Sequence, residues 1–155
     1  MQTYKVTVDC NKNIHWYNDE EKLHRLDGPA IEMTNGYKAW WVDGKRHRLD
    51  GPAVEGADGD KVWYVDGKLH RLDGPAFENA NGHKEWYVDG KRHRLDGPAV
   101  ENADGYKEWW VNGELMTEKE FNEYIKPKPS CEGKVVEVDG VKYRLVKAWD
   151  FSCFL

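Results

Sequence analysis

Long apolar runs are missing from this sequence. No stretch approaches the roughly 18 residues of a membrane span, and the opening MQTYKVTVDC holds none of signal-peptide length. The chain is therefore expected in the cytoplasm, away from membranes. Cysteine is scarce: Cys10, Cys131 and Cys153 are odd in number and lack metal-ligand spacing. Free thiols in a reducing compartment are expected, with no metal and no cofactor. Positive charge is not in excess either. A formal net charge of −5 argues against a dedicated nucleic-acid binder, whose affinity rests on neutralising phosphates. No Gly-rich phosphate loop, nucleophile elbow or Cys/His cluster is present, so no catalytic residues are assigned.

Apolar residues make up only 39% of the 155, against 33% charged, which is lean for a globular domain. Eight Trp and eight Tyr offset that scarcity, because each ring buries a large area. The expected core is thin and dominated by rings.

The dominant feature is a repeat. HRLDGPA begins at His24, His47, His70 and His93, in steps of 23. Lys38, Lys61, Lys84 and Lys107 keep the same step, as do Trp40, Trp63, Trp86 and Trp109. Such a period means an array in which each unit buries its face against its neighbours. Within a unit, Pro29 to Glu32 reads as a short strand and Asn35-Gly36 as a hairpin turn. Lys38 to Val42 reads as the second strand. Asp43-Gly44 is expected to end it, and Lys45 to Asp50 to form a longer connection. Gly56 is expected to displace the Asp58-Gly59 turn slightly.

Charge selects the hairpin register. A two-residue turn at Asn81-Gly82 would set Glu78 against Glu85, and facing like charges destabilise a pair. A three-residue loop with a left-handed glycine pairs Glu78 with Lys84 instead, and Glu32, Glu55 and Glu101 with Lys38, Lys61 and Lys107. Alternation along the second strand puts Trp40, Trp63, Trp86 and Trp109 on one face and Trp41, Tyr64, Tyr87 and Trp110 on the other. Leu26, Leu49, Leu72 and Leu95 are expected to fold over one ladder and leave the other free.

The ends differ from the array. Residues 1–23 hold an N-terminal strand and a degenerate first repeat, and 24–113 the hairpin array. Residues 114–129 hold a linker and a short helix opened by the capping box Thr117 to Glu120. Residues 130–155 hold a final hairpin turning at Asp139-Gly140 and an aromatic tail. The predicted class is all-β: an elongated antiparallel hairpin array in a single twisted sheet, capped by the helix and the last hairpin.

The string G-K-x-H, G-P-A-x-E, D/N-G-x-K-x-W-Y/W-V-D-G over about residues 16–113 resembles the MORN repeat in period and in its W-x-x-D-G turn. It departs from MORN at the longer HRLDG connection. The fuller HRLDGPA form looks like repeats of bacteriophage and bacterial proteins. That resemblance implies a binding or scaffolding role, and specifically an inhibitor of a host defence protein acting in the host cytoplasm.

Candidate residues follow. Trp41, Tyr64, Tyr87 and Trp110, with the basic edge Arg46, Arg48, Arg71, Arg92 and Arg94, are the expected protein-docking strip, since aromatic and Arg side chains dominate interface hot spots. His24, His47, His70 and His93 with Asp27, Asp50, Asp73 and Asp96 are expected to brace the loops. Adjacent units hold their imidazoles too far apart to share a zinc ion. The alternatives are small-ligand or nucleotide and nucleic-acid binding through the aromatic ladders and the basic loop edge, and a purely structural scaffold array. An exposed sheet edge or the C-terminal region could support a homodimer.

Overall fold

The computed structural model describes residues 4–126, 135–138 and 141–144. The chain divides into two compact units, Met1–Tyr124 and Ile125–Leu155. The first is an open antiparallel sheet of 11 strands built from successive hairpins. Its first strand, Lys5–Val8, pairs with Ile14–Tyr17, and that strand pairs onward with Ile31–Glu32. Each later unit adds two short strands, as in Val54–Glu55 with Lys61–Val62 and Phe77–Glu78 with Lys84–Glu85.

The predicted register holds in every unit. Glu32, Glu55, Glu78 and Glu101 face Lys38, Lys61, Lys84 and Lys107. The loop from Ala80 to Gly82 closes where the Gly82 N–H donates to Asn79 O at 3.1 Å and the Asn79 N–H to His83 O at 3.0 Å. Gly82 takes φ +86°, the left-handed turn of the chain that a side chain there would resist. The expectation for Gly56 is corrected. It occupies the place of Asn79, donates to Asp60 O at 2.7 Å, and leaves the register unchanged.

Each unit also carries a second hairpin that the sequence reading missed. Trp41–Val42 pairs with Lys45–Arg46, Tyr64–Val65 with Lys68–Leu69, and Tyr87–Val88 with Lys91–Arg92. Asp43-Gly44 does not end a strand but turns it back in two residues, with φ +47° and +76°. Both residues are left-handed, as the tight twisted hairpin turn requires, and Asp tolerates this better than most residues. Trp40 is the joint between the two hairpins. Its N–H donates to Ala53 O in the next unit at 2.8 Å, and its carbonyl accepts from the His47 N–H at 3.1 Å. The second hairpins are tied to each other, because Arg48 N–H donates to Tyr64 O and Gly67 N–H to Arg46 O.

The core differs from expectation. The fully buried positions are small: Ala30, Ala39, Ala53, Ala76 and Ala99 are all 0% exposed, whereas the Trp and Tyr rings of the array are half-buried, apart from the exposed Tyr106. The leucine cover is also corrected. Leu49 and Leu72 are 80% exposed, and Leu26 and Leu95 stand in solvent with them. Arginine does that job. The guanidinium carbons of Arg25, Arg48, Arg71 and Arg94 lie 4.1, 3.9, 3.9 and 3.8 Å from the ring centres of Trp16, Trp40, Trp63 and Trp86. A flat cation fits a flat ring and still reaches acceptors at the loop, which an aliphatic side chain cannot do.

The array ends at the unbroken strand Lys107–Val111, paired with Glu114–Met116. The helix Glu118–Tyr124 packs on these strands through the buried Phe121. Its capping box forms as predicted: Glu120 N–H donates to Thr117 Oγ1, and Thr117 N–H to Glu120 Oε2 at 2.8 Å. This helix is too short to cross a membrane. In the second unit Val135–Val138 pairs with Val141–Arg144. The predicted turn residues Asp139-Gly140, the aromatic tail, Cys131 and Cys153 lie outside the described residues.

Candidate functional site

The structure separates the predicted basic edge into two sets. Arg48, Arg71 and Arg94 belong to the loops. Each donates from Nε to the Asp two positions on and from Nη1 to a Pro carbonyl and a Glu carboxylate; for Arg71 these are Asp73, Pro75 and Glu78, at 2.9, 3.2 and 3.1 Å. With Arg25, which bonds Asp27 in the same way, these arginines hold the carboxyls of Asp27, Asp50, Asp73 and Asp96 below the ordinary range. The loop histidines use other partners. His47 Nδ1 accepts from the Asp66 backbone N–H at 3.2 Å, and an Asp66 carboxylate oxygen lies 3.0 Å away. His24, His70 and His93 meet Asp43, Asp89 and Asn112 in the same way at the backbone. Each histidine therefore braces the Asp-Gly or Asn-Gly turn of the following unit. Between successive loops lie open grooves of 660, 530 and 690 Å³, floored by Trp40 and Val42, Trp63 and Val65, and Trp86 and Val88.

Arg46 and Arg92 stand in the other ladder. Cross-strand pairing sets Tyr17 against Leu23, Trp41 against Arg46, Tyr64 against Leu69, Tyr87 against Arg92, and Trp110 against Leu115. The result is a continuous strip in which rings alternate with Leu, Arg, Leu, Arg and Leu. Arg46 lies 5.2 Å from the Trp41 ring and 5.3 Å from the Tyr64 ring. Arg92 sits likewise by Tyr87 and Trp110, at 6.0 and 5.3 Å.

Around Arg92 the strip carries an acidic network absent from the sequence reading. Glu85 Oε2 accepts from Tyr87 Oη at 2.6 Å and from Arg92 Nε at 3.0 Å. Glu108 Oε2 accepts from Trp110 Nε1 at 2.7 Å and Arg92 Nη1 at 3.3 Å, while its Oε1 accepts from Tyr106 Oη at 2.6 Å. Burial pushes the Glu85 carboxyl up, but the bonds from Tyr87, His83 and Arg92 outweigh it and hold it below the ordinary range. The Tyr106 and Trp110 bonds lower Glu108 as well. Alternation would have revealed this set, since residues 83, 85 and 87, and 106, 108 and 110, fall on one face.

His83 closes the network. Its Nε2 lies 2.7 Å from Glu85 Oε1, and its Nδ1 contacts Asn102 Oδ1. Burial pulls its pKa down, and these two acceptors more than reverse that, so it stands above the ordinary value. A raised histidine pKa contributes stability that is full below the unfolded-state value and lost as pH rises through the folded-state value. The stability gap between the wild-type chain and His83→Gln is therefore expected to shrink as pH goes from about 6 to about 8.5. Urea unfolding at the two pH values measures it, and a gap that widens would contradict the assignment.

No protein-family model matches the chain, and a search of curated proteins finds no match either.

Proposed function

We propose that this chain is a non-catalytic protein-binding module that docks its partner on the strip from Trp41 to Trp110. The observation that supports this is the alternation of half-exposed rings with Arg and Leu along one row of an open sheet. Rings offer large contact area at low entropy cost and arginines offer planar, charged hydrogen bonding, and both types dominate hot spots. The resemblance of the repeats to MORN units, and of HRLDGPA to phage and bacterial repeats, favours a specific form: an inhibitor of a host defence protein.

Tyr64→Ala with Tyr87→Ala is expected to weaken partner binding by at least about tenfold, roughly 1.4 kcal/mol, while the loop clamps keep the fold. The test is a tagged pull-down from host lysate, with and without nuclease, run in parallel with the double variant. A stoichiometric protein that survives nuclease and is lost with the variant supports the reading. Recovery of nucleic acid alone, or equal recovery by the variant, would defeat it.

A further inference from the structure

The Leu–Arg row of the strip repeats with a period of two units, and comparing its two Arg-centred segments shows donors that lack an acceptor in one of them. Residues 39, 41, 46, 62 and 64 correspond by two repeats to 85, 87, 92, 108 and 110. In the later half, Glu85 Oε2 receives Tyr87 Oη and Arg92 Nε, and Glu108 supplies a second carboxylate. In the earlier half those carboxylates are replaced by Ala39 and Val62. The donors remain. Trp41 Nε1 and Arg46 Nε, which hold the places of Tyr87 Oη and Arg92 Nε, are shielded from solvent and have no hydrogen-bond partner.

Arg46 is likewise the one arginine among the described side chains that faces no carboxylate. Arg25, Arg48, Arg71, Arg92 and Arg94 all form ion pairs. Its sole side-chain hydrogen bond is a long one, 3.4 Å from Nη1 to Tyr64 Oη. Only that long bond and ring contact hold the guanidinium, so it can lift to admit an acceptor that also reaches the indole N–H.

We propose that the Trp41–Arg46–Tyr64 notch receives a carboxylate from the docked protein, an Asp or Glu side chain that takes the place Glu85 occupies two units further on. This rests on the protein-binding reading and names what that partner must present. Carboxylate suits the two donors because one acceptor group can take the guanidinium and a neighbouring ring donor together, as Glu85 does with the Arg92 N–H and the Tyr87 O–H.

The test is an indole N–H titration of the full 15N-labelled chain with N-acetyl-glutamate N-methylamide, and with its glutamine analogue and inorganic phosphate as controls. The Trp41 signal is expected to shift saturably with the glutamate probe while that of Trp110, already bonded to Glu108, stays put. Arg46→Gln is expected to abolish the shift and leave the other indole signals in place. Ala39→Glu supplies the acceptor internally and is expected to move the Trp41 signal without any probe. A Trp41 signal that ignores the glutamate probe, or answers its glutamine analogue or phosphate equally, would overturn the proposal. If that happens while Tyr64→Ala with Tyr87→Ala still breaks partner capture, the docking strip stands and only the carboxylate notch falls.

Discussion

Arg71→Ala is expected to lower stability by about 3 kcal/mol, although the residue sits in a surface loop. Its guanidinium covers the Trp63 ring, a contact of about 0.5–2 kcal/mol, and its Nη1 serves both the Pro75 carbonyl and the half-buried Glu78. Truncation would bare the ring and leave two acceptors without their donor. The exposed Asp73 adds little. For a chain of this size the loss corresponds to roughly 10 °C in melting temperature. Arg71→Lys should rescue less than half, because an ammonium cannot lie flat on the indole and fork to both acceptors. Thermal and urea unfolding followed by circular dichroism measure it. A loss under about 1 kcal/mol would mean that the clamp is ornamental.

Ala76→Leu is expected to cost about 3 kcal/mol or more, or to prevent folding. Ala76 is wholly buried, and its backbone is fixed from both sides: its N–H donates to Glu85 O at 2.8 Å and its carbonyl accepts from Trp63 N–H at 2.8 Å. The strand cannot shift to make room without breaking a bond to a neighbouring strand. Ala80→Leu is the control, since Ala80 lies exposed at the turn, and it should change stability by no more than about 0.5 kcal/mol. Equal effects at the two positions would refute tight packing at the alanine row.

What could be read in advance divides along physical lines. The period, the Glu78–Lys84 register and the Thr117 capping box were legible because each is set by local chemistry: spacing, facing charges, a reciprocal side-chain bond. The second hairpin was obscured because its return strand, Lys45–Arg46, is two basic residues long and shows no apolar alternation, even though Asp43-Gly44 is a strong turn dipeptide. Arg48 covers Trp40, where leucine was expected because hydrophobicity alone favours it. The loop has carbonyl and carboxylate groups to satisfy, and only arginine can cover a ring and bond to them. Of the candidate site, the ring ladder was legible from alternation. The division of the arginines between two ladders was not, because Arg46 and Arg48 sit two residues apart and alternation along one strand would put them on the same face, whereas the strand ends at Arg46.

The alternation of Leu23, Arg46, Leu69, Arg92 and Leu115 along the strip also bears on how such a chain can change its length over generations. Duplicating a single 23-residue unit would set two arginines or two leucines side by side and scramble the order of charge along the docking row. Duplicating a pair of units would extend the row without altering its rhythm. The backbone repeats every unit, but the Leu–Arg row repeats every second one, so inheritance that preserves its order should gain or lose hairpin units in twos.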